Sequence, residues 1–316
     1  MSKRRKHHRP IDLSKLKTRS IKTRKNLVDV GLFGSASTGD SFAAFTDSLP
    51  DILAARSLRE VAEAIAKAHG KGKAVVAAFG AHLIKCGLSP VIIDLLERGI
   101  LTGIATNGAG AIHDAEIALI GATSEDVGDG LKTGTFGTSR ETAAAIAEAA
   151  AAAAAEGQGL GRALGEYILG KKCKHAKHSL FAAAARLDIP ATVHVAMGTD
   201  IVHMHPNVPA AALGEATMTD FRLLCSVVAG LQGGVWLNIG SAVLLPEVFL
   251  KTLTVARNLG HKVDRFVSVN MDMIQHYRPR ENVLRRPGGT AYAITGHHEI
   301  MVPLLRMMVL QQTKKK

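Results

Sequence analysis

Aromatic side chains are scarce in this chain: one Trp, three Tyr and nine Phe among 316 residues. A core must then be assembled from Ala, Val, Ile and Leu, and the 47% hydrophobic content is enough for one large domain or two small ones. Cysteine is scarcer still. Cys86, Cys173 and Cys225 share no C-x-x-C spacing, which argues against a disulfide scaffold and a cysteine-based zinc site and fits free thiols in a reducing compartment. No uncharged apolar run reaches the roughly eighteen residues that read as a membrane span, and no apolar segment follows the basic N-terminus as in a secretory signal. The expectation is a soluble cytoplasmic protein without membrane contact. Neither G-x-G-x-x-G nor G-x-x-x-x-G-K-[ST] occurs, so the usual dinucleotide fingerprint and the P-loop are both missing.

Acid is almost absent from the first twenty-five residues, which carry eleven Lys or Arg against Asp12 alone. Together with Lys314, Lys315 and Lys316 this segment accounts for the formal charge of +12 and leaves the remainder at −1. The basicity belongs to the tails. Residues 1–26 read as a flexible arm, suited to weak, salt-dependent contact with a polyanion or to subunit docking, and 27–316 as a single body.

What the body does have is a series of apolar runs that end in glycine turns. Ala74–Phe79 leads into Gly80-Ala81-His82-Leu83-Ile84-Lys85-Cys86-Gly87 and a helix over Val91–Arg98. Gly103–Thr106 leads into Asn107-Gly108-Ala109-Gly110 and a helix containing Ile112, His113, Asp114 and Glu116. Pro190–Ala196 ends in Met197-Gly198-Thr199-Asp200, and Gly234–Ile239 ends in Gly240-Ser241 before a helix over Glu247–Leu259. Val263–Val269 and Ala291–Thr295 complete the strands, with Gly296 opening a helix over His297–Leu310. Unbroken apolar runs are the mark of parallel strands buried on both faces. The fold class expected is α/β, a Rossmann-like open, mostly parallel sheet with helices on both faces, with a ligand crevice at the strand ends. Glycine there lets a ligand approach the backbone, and the following helix offers free N–H groups to an anion. The alanine run Glu141–Glu156 reads as a helix capped by Gly157 and carries no chemistry. Lys171–His178 reads as a solvated basic face.

Several side chains at these turns are candidates, each with a structural alternative. Lys85 is placed to meet a phosphate or act as a nucleophile, or is a surface lysine at a helix start. His113, Asp114 and Glu116 open a helix at a ligand-facing turn, where acids suit a polyamine's ammonium groups and are favoured at a helix N-terminus in any case. Asp200, His203 and His205 form a metal-like grouping, or loop histidines bonded to backbone. His297, His298 and Glu299 face the crevice or cap the last helix. Met271-Asp272-Met273 and the methionines of 301–308 read as packing.

The segments Gly-Ala-His-Leu-Ile-Lys-Cys-Gly-Leu-Ser-Pro from Gly80 and Thr-Asn-Gly-Ala-Gly-Ala-Ile-His-Asp from Thr106 resemble the deoxyhypusine synthase family. So do Pro190–Asp200, Gly234–Asn258 and Tyr292–Leu305. The resemblance is strongest to the bacterial deoxyhypusine synthase-like branch and runs from about residue 28 to the C-terminus. It implies a Rossmann-like subunit, a homotetramer, and NAD bound near a subunit interface. It also implies the founding chemistry, in which NAD takes a hydride from spermidine and the resulting imine passes an aminobutyl group to a protein lysine. Matched turn by turn, it implies cofactor contacts at Gly80, His82, Asn107, Gly108, Gly110, Thr199, Gly240, Ser241 and Gly296. The lysine on which the founding enzymes form their covalent intermediate falls within Asn282–Pro287, where this chain has none. Arginine stays protonated and cannot form the imine. The family's histidine after its glycine triplet is also missing, with Pro246 and Glu247 in that region.

The resulting expectation is an NAD-dependent transferase acting on a small amine such as a polyamine, without the founding lysine intermediate. His113, His205 and Lys85 would be catalytic, and Asp114, Glu116 and Asp200 would hold the substrate's cations. Two alternatives stand beside it. One is a metal-assisted amidine or amine hydrolase using His113, Asp114, His203 and His205; the other is a non-catalytic tetrameric binding protein with basic arms.

Overall fold

The computed structural model describes residues 8–37 and 39–314. Lys3, Arg4, Arg5 and Lys6 of the basic arm, and Lys315 and Lys316 of the tail, lie outside the described residues. Each apolar run forms a strand: β1 (Val75–Phe79), β2 (Gly103–Asn107), β3 (Ala191–His194), β4 (Val235–Ile239), β5 (Val267–Asp272) and β6 (Thr290–Thr295). All six pair in parallel, in the spatial order β3-β2-β1-β4-β5-β6. The direction of winding reverses between β1 and β4, and in such sheets the crevice outside the strand ends at that reversal is where a ligand binds.

Helices α1 (Phe42–Ser48) and α2 (Leu53–Gly70) precede β1, and α3 (His82–Lys85) and α4 (Ser89–Glu97) join β1 to β2. The long connection to β3 holds α5 (Gly108–Ile120), α6 (Val127–Thr133), α7 (Arg140–Glu156), α8 (Leu160–Gly170) and α9 (Leu180–Arg186). Helix α10 (Ala210–Ala229) leads to β4 and α11 (Leu244–Asn258) to β5. A single turn α12 (Tyr277–Pro279) and a π-helical stretch (Arg280–Arg285) lead to β6, and α13 (His298–Lys314) follows it. No helix among the described residues is long and apolar enough to cross a membrane.

Alternation along the strands divides the core in two. Val75, Ala77 and Phe79 of β1 pack with residues of α2, α4, α5 and α13, whereas Val76 and Ala78 pack with α10 and α11. Phe79 and Phe181 are buried on the first face; on the second, Trp236 stacks on Phe249 at 4.2 Å between centroids and Phe266 meets Phe249 edge-on at 6.1 Å. The alanine helix α7 buries Ala143, Ala145, Ala149, Ala150 and Ala153 and ends at Gly157 in the left-handed conformation (φ 66°), as its sequence implies. Strand β5 differs from the expected Val263–Val269. It starts at Val267 because Gln232 Oε1 accepts the N–H groups of Asp264 and Arg265, at 3.0 Å each, and so withdraws them from the ladder.

The two edges of the sheet are treated differently. Strand β3 is buried along its length, and α10 supplies side chains to its outer edge. Asp220 accepts the Val193 N–H at 2.8 Å, while Thr217 donates to the Val193 carbonyl (2.8 Å) and accepts the Val195 N–H (3.0 Å). Asp220 also accepts the Gly161 N–H at the start of α8 (3.0 Å), tying that helix to the sheet. Burial dominates this carboxyl and raises its pKa to about 7, against the opposing pull of its backbone donors. The native state therefore keeps the proton to near neutrality, while the unfolded chain releases it near pH 4. This group's contribution favours folding at low pH and is lost as pH rises from about 4 towards 7. Asp220→Asn keeps an acceptor for the backbone and carries no charge. Its urea midpoint should fall less than the wild-type midpoint between pH 5 and pH 8; parallel curves would contradict the assignment.

Candidate active site

The glycines at the carboxyl ends of the strands are held against the protein's own atoms. A Cβ at Gly80 would collide with the Gly240 carbonyl, one at Gly240 (φ +64°) with the His298 ring, and one at Gly110 with the Thr106 hydroxyl. At Gly108 it would strike the Asp200 carboxylate, and at Gly296 the Met301 side chain. At these five positions the missing side chains make room for neighbouring protein atoms. Asn107 caps α5 by accepting the Gly110 N–H at 3.0 Å, and the buried Ser241 hydroxyl accepts the Leu245 N–H at 3.2 Å. Of the nine residues matched to cofactor contacts, His82 and Thr199 are the most exposed.

Beside this closed edge lies a cavity of about 180 Å³, lined by Lys85, His113, Glu116, Glu125, Thr199 and Asp200, with Ile112, Phe136 and Ile201 as its main apolar wall. It is smaller than the roughly 300–1,000 Å³ typical of drug-sized ligands and suits a compact one. Three carboxylates against one lysine make it acidic, so a cationic ligand is favoured. Glu125, which binds the Gly137 N–H at 2.7 Å, was not among the residues singled out from the sequence.

Hydrogen bonds define the state of His113. Thr142 donates to Glu116 Oε1 at 2.9 Å and Thr123 donates to Glu116 Oε2 at 2.5 Å. The Thr123 oxygen must then accept from His113 Nδ1, 2.6 Å away, which assigns the proton to Nδ1 and leaves the Nε2 lone pair available as a base. Burial alone would raise the Glu116 carboxyl, but the hydrogen bonds from Thr123 and Thr142 and the nearby His113, 3.8 Å away, outweigh it and leave the group lowered. Asp200, 9% exposed, is raised by burial, with His203 and Thr199 opposing. No hydrogen bond or ion pair among the described residues holds the exposed Lys85 amine.

Other predicted residues lie elsewhere or serve the backbone. Asp114 is fully buried and accepts from Ser179 Oγ (2.5 Å), Leu180 N–H (2.7 Å) and Phe181 N–H (3.4 Å), anchoring the start of α9. Burial raises its pKa to about 6 despite those bonds. His205 Nε2 bonds the Gly137 carbonyl at 3.0 Å, and His203 Nδ1 accepts the N–H groups of Gly198 and Asp200, at 3.1 Å each. The H-x-H pair thus fastens loops rather than converging. Among the described residues, no three His, Cys, Asp or Glu side chains are placed to hold a metal ion.

The strand-order reversal lies on the other side of α3. There the His82 and His298 rings lie 5.9 Å apart, and Cys86 Sγ is 3.3 Å from His82 Nε2 and 3.8 Å from Glu299 Oε2. Burial, with Glu299, holds the thiol above its ordinary pKa, and burial lowers the His298 imidazole. His298 Nδ1 and Asn238 Oδ1 are buried and have no partner among the described residues. The single turn of α3 therefore carries His82 at the reversal and Lys85 at the acidic cavity.

No protein-family model matches the chain, and no curated protein matches it by sequence. Solved structures do match in fold. A provisionally assigned LOR/SDH protein from Methanococcus maripaludis S2 is 17% identical with a TM-score of 0.50, over 80% of this chain and 69% of its own. A provisionally assigned deoxyhypusine synthase from Entamoeba histolytica is 13% identical at 0.51, over 87% and 95%. AgrE, in a ternary complex with ornithine and NAD+, is 14% identical at 0.50, and this chain covers only 33% of its length. At these identities the likeness is one of fold.

The packing at Gly108 gives a test with an unusual sign. Alanine for glycine inside a helix ordinarily stabilises by about 0.5–1 kcal/mol. Gly108→Ala should instead destabilise by about 1–3 kcal/mol in urea unfolding, because its methyl group displaces the Asp200 carboxylate. Adding Asp200→Ala should recover part of that loss. A stabilised Gly108→Ala variant would contradict this packing.

Proposed function

We propose that this chain is an NAD-dependent enzyme acting on a small cationic amine. In this reading a hydride is removed from the carbon bearing nitrogen, the imine so formed exchanges its nitrogen for that of a second amine, and the hydride is then returned to the new imine. The reading is an aminoalkyl transfer on a polyamine, as in the family the sequence resembles, by a homotetramer that lacks the family's lysine. One observation carries it: the acidic cavity and the strand-order reversal share the single turn of α3, so an amine and a dinucleotide would meet across His82–Lys85. The unpartnered buried atoms of His298 and Asn238 at the reversal fit a polar ligand there, with His82, His297 and His298 as the side chains that would hold it. NAD, when bound, supplies the hydride acceptor. AgrE, a third of which matches this fold, was crystallised with ornithine and NAD+, an amine and this cofactor in one protein.

The protein's own groups have distinct parts in this reading. Asp200 and Glu125 hold an ammonium group of the substrate by charge. His113 Nε2 takes the proton from the reacting nitrogen, which must be neutral before its carbon can give up hydride. The Thr123–Glu116 relay fixes the His113 tautomer and stabilises the imidazolium that results. Lys85 is the lysine of the cavity and the nucleophile available to receive the imine, releasing the first nitrogen as an amine.

Calorimetry with NAD, followed by a series of diamines and mass spectrometry of the products, tests the proposal. NAD should bind without added metal, and amine binding should require it. Asp200→Asn and Glu125→Gln should each raise KM for the amine about tenfold, or about 1.4 kcal/mol. Thr123→Val should lower kcat about tenfold or more while leaving NAD affinity unchanged. Absence of NAD binding together with metal-dependent hydrolysis of an amidine would overturn the proposal in favour of the hydrolase.

A further inference from the structure

We propose that the outer edge of β6, together with the charged face of α2, is an interface on which a second copy of this chain docks about a two-fold axis. The two edges of the sheet provide the first argument. Side chains of α10 satisfy the outer backbone groups of β3. Among the described residues, strand β6 has no such cover. Thr290 and Gly296 direct their N–H groups to Phe266 and Asp272 of the β5 side, so Ala291, Ala293 and Thr295, lying between them in alternation, turn theirs outward. All three are exposed. The strand Thr-Ala-Tyr-Ala-Ile-Thr has no lysine, no other charge and no proline, the usual devices that keep a free edge from pairing. Its outward groups are matched by an identical strand running antiparallel, each hydrogen-bonded pair exchanging two bonds.

The second argument is charge. Along α2 and its C-terminal cap, Glu60, Glu63, Lys67 and Lys71 form one exposed row beside the edge strand. They line a hollow of about 760 Å³ with Thr290 and Tyr292. The row is acidic in its first half and basic in its second. A two-fold axis normal to the sheet lays a second α2 alongside in the opposite direction, which sets Glu60 and Glu63 of one copy against Lys71 and Lys67 of the other. A self-complementary row of this kind is what an isologous contact requires. None of the four is in an ion pair among the described residues. The remaining chemistry of the hollow is mixed in sign and gives a small ligand no single charge to meet.

Sedimentation or light scattering of the full chain tests the proposal. Ala291→Pro removes an outward N–H without touching the β5 ladder, so the fold should persist and the assembly mass should fall to half. Charge reversal gives an independent reading. Lys67→Glu/Lys71→Glu and Glu60→Lys/Glu63→Lys should each lower the assembly mass alone, and an equimolar mixture should restore it as a mixed assembly. The proposal is overturned by a monomeric wild type, by wild-type mass in Ala291→Pro, or by reversal variants that assemble alone as well as mixed. It is equally overturned if deleting residues 1–33 halves the mass while Ala291→Pro does not.

Discussion

The close packing of glycine backbone against neighbouring protein atoms at the carboxyl edge of the sheet shapes what that edge can do. Gly80 lies against the Gly240 carbonyl, Gly240 against His298, and Gly108 against Asp200. Any side chain at these positions would force apart the turns after β1, β2 and β4. With that edge closed by its own atoms, open space is displaced sideways to the acidic cavity under α3. That cavity is lined by side chains, Lys85, His113, Glu116 and Asp200 among them.

Three buried aspartates sustain this arrangement, and each sits at the start of another helix. Asp114 anchors α9, Asp220 anchors α8, and Asp200 lies against the first residue of α5. A carboxylate near a helix N-terminus is favoured by the helix dipole, but burial opposes ionisation and raises all three. Asp200 alone also lines the cavity, which makes it both a packing element and a candidate ligand. Glu116 differs because two hydrogen bonds and the nearby His113 outweigh its burial and keep it charged.

Much of the frame is legible in the residues, because β1, β2, β3 and β4 are the unbroken apolar runs and glycine ends most of them. The roles of neighbouring side chains were harder to read, although one signal was present. Asp114 falls in the stripe Ala111-Asp114-Ala115-Ala118, whose spacing is that of the buried face of a helix, while His113 and Glu116 fall on the adjoining face. That periodicity separates a core carboxylate from a cavity pair. The relay on Glu116 has no comparable signature, since its donors Thr123 and Thr142 come from a loop and from another helix. Glu125 likewise reaches the cavity only through the path of that loop, and His205 is committed to Gly137, sixty-eight residues away. The start of β5 was misplaced for a similar reason, because a distant glutamine took its first backbone donors.

The central claim is that an amine in the acidic cavity gives up hydride to a cofactor across α3. The most direct measurement uses a diamine deuterated at the carbons next to nitrogen, incubated with the protein and NAD, with the reduced nicotinamide recovered and weighed by mass spectrometry. The account predicts deuterium on the nicotinamide and its loss in His113→Gln. Bound NAD and bound diamine with no deuterium transferred would contradict it.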